Sequence, residues 1–278
     1  MGNREALRDV VENYPLTDIR SLAAEEQPLL DRKGYQILHS PFSKFRDLGL
    51  PSIEGIKGDE LKRRAIRTYL SAITETLRDH YDSTKAVRKA TNQAYDKTPS
   101  IPLNDLPKEG IEVREQPIST AFNVHRDGSP NNFKRQLLYL LDPEEQLELA
   151  EKRVRLRLIN MWRPVVDVET GPLALCDTRT VAEDDWEPVD KVFDDWVEES
   201  MYLKHNPSQK WYWLSNQTTD EVTTFVVWDS ERPNDKNAAV AHCSFKLPDH
   251  LLGKVLRESI EMRVLLWTEP SEPPPAEE

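Results

Sequence analysis

Cysteine is scarce in this sequence, which has only Cys176 and Cys243 among its 278 residues. Two cysteines are too few for a disulfide scaffold and are typical of a reducing compartment. The first ten residues, MGNREALRDV, lack the apolar core of a secretion signal. No apolar run approaches the roughly 20 residues that span a bilayer. Together these shortages predict a cytoplasmic protein with no membrane partner.

Positive charge is also in short supply, with 37 Lys and Arg against 49 Asp and Glu and a net charge of −12. Proteins that bind DNA or RNA neutralise phosphates with Lys and Arg, so the acidic excess argues against a nucleic-acid partner. The apolar share of 38% suffices for a substantial core. Composition leaves the oligomeric state open, with a homodimer as one option.

Helical patterning follows Gly58. The stretch GDELKRRAIRTYLSAITETLRDHYDSTKAVRKATNQAYD has no Gly or Pro after its start, and apolar residues recur in it at helical spacing. Residues 58–95 are therefore predicted to form an amphipathic helix that continues as a second one. Residues 1–55 mix short apolar pieces with prolines and are predicted to form an irregular arm with one short strand.

β patterning dominates residues 110–268. Nine short segments resemble strands and are separated by Pro, Asn, Asp and Gly: IEVREQ, TAFNVH, VRLRLINMWRPV, ALCDTR, MYLKHN, KWYWLSN, EVTTFVVWDS, AAVAHCSFKL and SIEMRVLLW. Helices are predicted as insertions at 142–153 and 187–200. The predicted fold class is α+β, a β-sandwich or barrel buttressed by N-terminal helices, in one domain over residues 1–268. Residues 269–278, rich in Pro and Glu, are predicted to be a disordered tail.

A histidine and an aspartate stand two residues apart in AFNVHRDGSP, residues 121–130. Side chains alternate along an extended segment, so His125 and Asp127 point to one side, about 7 Å apart, and Arg126 to the other. His242, in AAVAHCSFKL, is a third candidate ligand. Two imidazoles and one carboxylate form the facial set that holds Fe(II) and leaves three coordination positions open.

An Arg-x-Ser pair, Arg257 and Ser259, follows the distal histidine. Residues two apart share a strand face, so a guanidinium and a hydroxyl point together. The planar guanidinium matches a carboxylate bidentately, as the distal carboxylate of 2-oxoglutarate requires. Arg263 has the same parity and is the competing carboxylate clamp.

Two aromatic segments supply further candidates. In INMWRPV, Asn160 and Trp162 share one strand face and Arg163 takes the other. Asn160 is a candidate contact of 2-oxoglutarate, and Trp162 and Arg163 are candidate substrate contacts. Trp211 and Tyr212 in KWYWLS are predicted to form either a substrate wall or part of the core.

The sequence resembles the fungal AsaB-like hydroxylase/desaturase group, which includes gibberellin desaturase and relatives of a cephamycin-pathway protein. The resemblance covers roughly residues 30–268. It rests on five matches in order: NVHRDGSP, LINMWRPVVDVETGPLALCDTRTV, NPSQKWYWLSNQTTDEVTTFVVWDS, AHCSF and RESIEMR.

The resemblance implies a double-stranded β-helix, also called a jelly-roll or cupin-like fold. It also implies an Fe(II)/2-oxoglutarate-dependent dioxygenase that uses O₂. The ligands would be His125, Asp127 and His242, and the cosubstrate clamp would be Arg257 with Ser259 or Arg263. The implied activity is oxidation of an unactivated C–H bond of a small molecule in natural-product biosynthesis, by hydroxylation, desaturation or ring closure.

Two other functions stay open at this point. A Zn-dependent β-barrel hydrolase would use the same His/Asp/His set to hold a water molecule, would need a general base, and predicts no role for a 2-oxo acid. A non-catalytic β-sandwich binding module would leave the three residues at the surface. The Arg-x-Ser pair favours the oxygenase over both.

Overall fold

Two β-sheets with a shared core make up most of the part of the chain that the computed structural model describes, residues 14–39, 60–95, 112–113, 118–192 and 197–271. The strands are β1 (Leu16–Asp18), β2 (Tyr35–His39), β3 (Lys85–Tyr95), β4 (Glu112–Val113), β5 (Ile118–Ser119), β6 (His125–Arg126), β7 (Arg155–Pro164), β8 (Leu173–Cys176), β9 (Trp186–Val192), β10 (Val197–Leu203), β11 (Trp211–Trp213), β12 (Glu221–Asp229), β13 (His242–Ser244) and β14 (Glu258–Thr268). The helices are α1 (Leu30–Lys33), α2 (Glu60–His80), α3 (Pro130–Leu140) and α4 (Pro143–Ala150).

The strand order is that of a jelly-roll core with added edge strands. Sheet A runs β1-β11-β8-β13-β6-β10-β9, and sheet B runs β2-β12-β7-β14-β3-β4, with β5 also beside β3. Neighbours are antiparallel except β1 with β11 and β3 with β4 and β5. The predicted α+β class with a double-stranded β-helix is confirmed.

The inner faces of the two sheets share one apolar cluster. Leu175 and Tyr212 contribute to it from sheet A, and Trp162, Phe225 and Leu265 from sheet B. Alternation along each strand sends these side chains inward and their sequence neighbours outward. The same alternation places the polar residues described below inside the jelly roll.

Helix α2 packs on the outer face of sheet B. Its residues Leu70, Ile73 and Leu77 are almost fully buried, and they join Met262 and Val264 of β14 in a second cluster. These apolar residues follow the spacing of one helix face, as the sequence predicts. None of the described helices is long and apolar enough to cross a membrane.

The second helix predicted within residues 58–95 is wrong. Helix α2 ends at His80, Asp82 has a positive φ of 49°, and residues 85–95 form β3 instead. This strand pairs with β14 from Lys85 to Tyr95. Ten residue pairs with a central strand outweigh the helix propensity of Lys, Ala and Arg.

The helix predicted at 187–200 is also wrong. Strands β9 and β10 occupy this region and pair with each other, and β10 pairs with β6. Pro188 lies within β9, the last strand of sheet A, where an edge strand tolerates a missing N–H.

The helix predicted at 142–153 is confirmed by α4. Asp142 and Glu145 form a capping box at the N-terminus of this helix. The arm predicted at 1–55 contributes β1 and β2, one strand to each sheet. Most of the predicted tail lies outside the described residues. The single domain over residues 1–268 stays a prediction.

Candidate metal centre

The three predicted ligands meet where β6 and β13 pair in sheet A. His125 of β6 lies directly opposite His242 of β13, with 4.5 Å between ring centroids. Asp127 follows β6 by one residue. One potential ligand atom from each of the three lies within 4.8 Å of the other two. Their side chains are 15%, 8% and 6% exposed for His125, Asp127 and His242, so the group is largely shielded from water.

Backbone carbonyls fix the orientation of both imidazoles. Nδ1 of His125 lies 2.8 Å from the carbonyl oxygen of Asn123, and Nδ1 of His242 lies 3.1 Å from that of Val240. A carbonyl only accepts hydrogen bonds, so each Nδ1 carries the proton and each Nε2 keeps its lone pair. The two Nε2 atoms lie 3.9 and 3.8 Å from Oδ1 of Asp127. Three lone pairs therefore converge, as metal ligation requires.

The carboxylate of Asp127 is held from the opposite sheet. Asn160 of β7 donates to Oδ2 over 2.6 Å, and Nη2 of Arg263 on β14 lies 3.2 Å from Oδ1. Both were predicted as contacts of 2-oxoglutarate, whereas the structure places both on the candidate ligand. Asn160 and Arg263 reach the same carboxylate because they are directly opposite each other in the β7–β14 ladder and point to the same face of the sheet.

The electrostatics of the site favour a neutral imidazole on His125 and an ionised carboxylate on Asp127. Burial, with a contribution from His242, lowers the pKa of His125 to about 4. Burial alone would raise the pKa of Asp127, but the charge of Arg263, the two histidines and the Asn160 hydrogen bond together lower it. These are the protonation states in which His125 and Asp127 bind a metal ion.

A buried arginine lies further along the interior. Arg257 is 3% exposed and donates to Gly171 O at 2.6 Å, to Oγ of Ser244 and to Oγ1 of Thr120 at 3.2 Å. Its guanidinium carbon lies 5.5 Å from the ring centroid of Trp162. Ser244 is two residues beyond His242 on β13, about 7 Å along the strand. The guanidinium therefore contacts a residue that lies about 7 Å along the strand from the candidate ligand His242.

Ser259 completes the predicted Arg-x-Ser pair. It is 1% exposed, and its hydroxyl has no hydrogen-bond partner among the described residues. A buried hydroxyl without a partner is costly in a finished core and is expected where a ligand binds.

Three predicted substrate contacts do not reach the triad. Arg163 lies on the outer face of sheet B, where it donates to Oη of Tyr69 on α2, and this corrects its assignment. Trp211 packs with Cys176 in the outer cluster of sheet A. Tyr212 points inward but lies on β11, two strands from β13. Trp162 alone of the four stays beside the candidate site.

Sequence reasoning missed Glu261. It lies on β14 between Ser259 and Arg263 and has their inward parity. Burial and the neighbouring Asp127 raise the pKa of Glu261 above that of a free glutamate. The signal was present, because the residue stands two positions from each of two singled-out residues.

Comparisons with known proteins agree with this geometry. The family model described as oxidoreductase/YMDC permease-like domain matches residues 2–267. The gibberellin cluster GA4 desaturase of Gibberella fujikuroi is 36% identical over 196 residues, 60% of this chain and 57% of that protein. The Fe(II)/2-oxoglutarate-dependent dioxygenase nvfI of Aspergillus novofumigatus is 36% identical over 156 residues, 53% and 52% of the two chains. The alignments thus span little more than half the length of these relatives.

A solved structure extends the similarity to most of the chain. The iron and alpha-ketoglutarate-dependent endoperoxidase NvfI superposes with a TM-score of 0.66 and 27% identity, over 87% of this chain and 81% of that one. The family match and this likeness cover the strands that carry the His/Asp/His set. The chain belongs to the oxidoreductase/YMDC permease-like domain family, and it is similar to the fungal desaturase and the Fe(II)/2-oxoglutarate-dependent dioxygenase named above.

Proposed function

We propose that this protein is an Fe(II)/2-oxoglutarate-dependent dioxygenase that oxidises an unactivated C–H bond of a small molecule in fungal natural-product biosynthesis. The observation that carries the proposal is the convergence of His125, Asp127 and His242 in a largely buried position. Two neutral imidazoles with one carboxylate suit Fe(II) and leave positions open for the cosubstrate and O₂. Bound iron, with 2-oxoglutarate and O₂, would supply the oxidising power for C–H cleavage.

Arg257 and Ser259 would hold the distal carboxylate of 2-oxoglutarate. The guanidinium offers a planar pair of donors, and the hydroxyl of Ser259 lacks another partner among the described residues. Ser244 and Thr120 fix the guanidinium in place. The five-carbon cosubstrate fits the roughly 7 Å that separate His242 from Ser244 along β13.

Arg263 and Asn160 would act on the cosubstrate only through Asp127. Each contacts the Asp127 carboxylate through one N–H group, Arg263 at Oδ1 and Asn160 at Oδ2. Such contacts fix the direction in which a ligand oxygen points and keep it ionised. We therefore assign the clamp to Arg257 and a positioning role to Arg263 and Asn160.

The names of relatives support a small-molecule substrate. One relative is a desaturase of a gibberellin cluster and the solved neighbour is an endoperoxidase. The proposal accordingly includes hydroxylation, desaturation and oxidative ring closure. Trp162, beside Arg257, is the candidate substrate contact that the geometry supports. A cytoplasmic location is part of the proposal, since Cys176 and Cys243 are both free and buried.

The two alternative functions fit the site less well. A binding module with surface histidines does not explain three convergent side chains that are at most 15% exposed. A Zn hydrolase gives no role to the buried Arg257 or to the unpartnered hydroxyl of Ser259.

Isothermal titration of 2-oxoglutarate, with Mn(II) as an inert substitute for Fe(II), tests the proposal. We expect binding that requires the metal, and a loss of cosubstrate affinity of at least about tenfold in Arg257→Gln. Arg263→Gln should instead lower the affinity of the protein for the metal ion. Arg163→Gln, on the next strand but the outer face, is the matched control. Tight Zn(II) binding without any affinity for 2-oxoglutarate would favour the hydrolase.

A further inference from the structure

A second pocket lies away from the candidate metal centre, where α1 meets β11. It encloses about 400 Å³, and its charged lining residues are Glu26, Arg32, Lys33, Asp177, Arg179 and Lys210. Four of these side chains are cationic and two are anionic. This local excess of positive charge stands on a chain whose net charge is −12.

Lys33 is the most unusual member of the pocket. It is 4% exposed, its Nζ donates to the carbonyl oxygen of Glu26 at 3.0 Å, and the same atom lies 4.1 Å from the ring centroid of Tyr212. Among the described residues it has no ion pair with a carboxylate. Buried ammonium groups are ordinarily paired, because removing the charge from water is costly. The pocket thus contains a buried cation that makes no direct ion pair with a carboxylate of the described chain, although the charges of Asp177 and Glu26 act on it from further away.

The carboxylate with the largest electrostatic effect on Lys33, that of Asp177, already has a partner. Asp177 accepts two hydrogen bonds from Arg179, at 2.9 and 2.6 Å, and a third from the Arg179 backbone. Burial is the main effect that lowers the pKa of Lys33, and the charge of Asp177 offsets it only in part. Lys210, exposed at the rim, adds a further cation, and it has no ion pair with an acidic side chain in the described part of the chain.

An aromatic ring forms one wall of the pocket. Tyr212 lines it, and Tyr35 packs against Tyr212 with 6.2 Å between ring centroids. The ammonium of Lys33 lies over the Tyr212 ring and donates only to the carbonyl oxygen of Glu26 among the described residues. A buried ammonium with one acceptor suits a ligand that brings several acceptor oxygens.

We propose that this pocket binds a small oxyanion, a phosphate or a carboxylate group, with Lys33 as its buried counter-ion and Arg179 and Lys210 at its rim. The site is distinct from the metal centre. Tyr212 on β11 is separated from His242 by β8, with Leu175 between them in the same row of the sheet. The proposal does not depend on the oxygenase assignment.

Calorimetric titration of the metal-free full chain with inorganic phosphate tests the proposal, with sodium chloride at matched ionic strength as the blank. We expect saturable millimolar binding, with a roughly threefold loss in Lys210→Gln, as for a rim charge. Lys33→Met should lose at least about tenfold, since it removes a hydrogen-bonding buried charge. Titration with acetate separates a carboxylate site from one that requires phosphate, and binding of either supports the proposal.

Two control variants locate the bound anion. Lys204→Gln removes an exposed charge from the loop between β10 and β11, which also carries Lys210, but outside the pocket. This variant should bind phosphate as the wild type does. Arg257→Gln should also be unchanged, because its guanidinium belongs to the metal centre. Absence of saturable binding of both anions would overturn the proposal. So would binding that Arg257→Gln abolishes and Lys210→Gln leaves intact, an outcome readable even if Lys33→Met fails to fold.

Discussion

Asp127 is the residue on which the contacts of the metal centre converge. It lies near both histidines, accepts a hydrogen bond from Asn160 and pairs with Arg263. Its two oxygens have different partners, so the carboxylate has one defined orientation. The histidines are oriented separately, by main-chain carbonyls.

Replacing Asn160 with Leu should therefore weaken metal binding without removing a ligand. Oδ2 of Asp127 would lose its donor in a buried site, and contacts of this kind typically contribute 10- to 100-fold in metal affinity. Equilibrium dialysis with Mn(II) measures the change. Asn206→Leu, which removes a similar Asn–Asp hydrogen bond far from the centre, is the control. Equal affinity in Asn160→Leu and wild type would show that Asn160 does not position the ligand.

His125 predicts a pH dependence of stability in the metal-free protein. Its pKa is lowered from 6.5 to about 4, so between these values the unfolded chain binds a proton that the folded chain does not. The free energy of unfolding should therefore be unaffected by this group above pH 6.5. It should fall by about 3 kcal/mol as the pH decreases to 4.

Urea unfolding of wild type and His125→Gln across pH 4 to 7 isolates this effect, because other groups titrate alike in both proteins. As the pH falls, the free energy of unfolding of the wild type should decrease relative to that of His125→Gln. A difference that stays constant with pH would show that the imidazole is not buried in its neutral form.

Helix α2 supports the site from outside by packing on the back of β14, the strand that carries Arg263 inside and directly follows Arg257. Ile73 is fully buried in this layer. Changing it to Ala should lower the free energy of unfolding by about 2 to 5 kcal/mol, because a cavity remains. Thermal unfolding compares it with Glu75→Ala on the exposed face of the same helix. Mn(II) affinity at a temperature where both variants are folded should be unchanged. A stability loss no larger than that of Glu75→Ala would contradict the packing described here.

Local sequence patterns predicted the elements whose signals are local. Helix α2, with its amphipathic face, and helix α4, which the structure shows to begin with a capping box, are of this kind. Helix α3 could have been predicted too, from Ser129 at the N-cap followed by Pro130. Strand β3 could not, because its helix-forming residues are extended only through pairing with β14.

The candidate site divides in the same way. Strand parity alone placed His125 with Asp127, and Asn160 with Trp162 on one face opposite Arg163. Strand patterns also offered His242 as a third ligand and Arg257 with Ser259 as a carboxylate clamp, and the family resemblance implied the same roles. That Arg263 and Asn160 contact Asp127 could not be predicted, since it depends on the distance between the two sheets.

The whole molecule joins two sheets across one metal centre. The candidate ligands come from β6 and β13 of sheet A, and the residues that hold Asp127 come from β7 and β14 of sheet B. A bound ion should therefore stabilise the fold as a unit. At 100 times the dissociation constant, Mn(II) should add about 2.7 kcal/mol to the free energy of unfolding.

Denaturant unfolding with and without Mn(II) measures this gain, and chelation should remove it. Asp127→Ala should show no gain, whereas Glu75→Ala should show all of it. Equal stabilisation of Asp127→Ala by the ion would place the bound metal elsewhere.

Anaerobic reconstitution with Fe(II), followed by 2-oxoglutarate, tests the central claim most directly. The iron chelate of a 2-oxo acid has a weak visible charge-transfer band. Wild type should develop this band, His125→Ala and Asp127→Ala should not, and Arg257→Gln should need at least about tenfold more cosubstrate. A folded, iron-loaded wild-type protein that shows no band at saturating 2-oxoglutarate would contradict it.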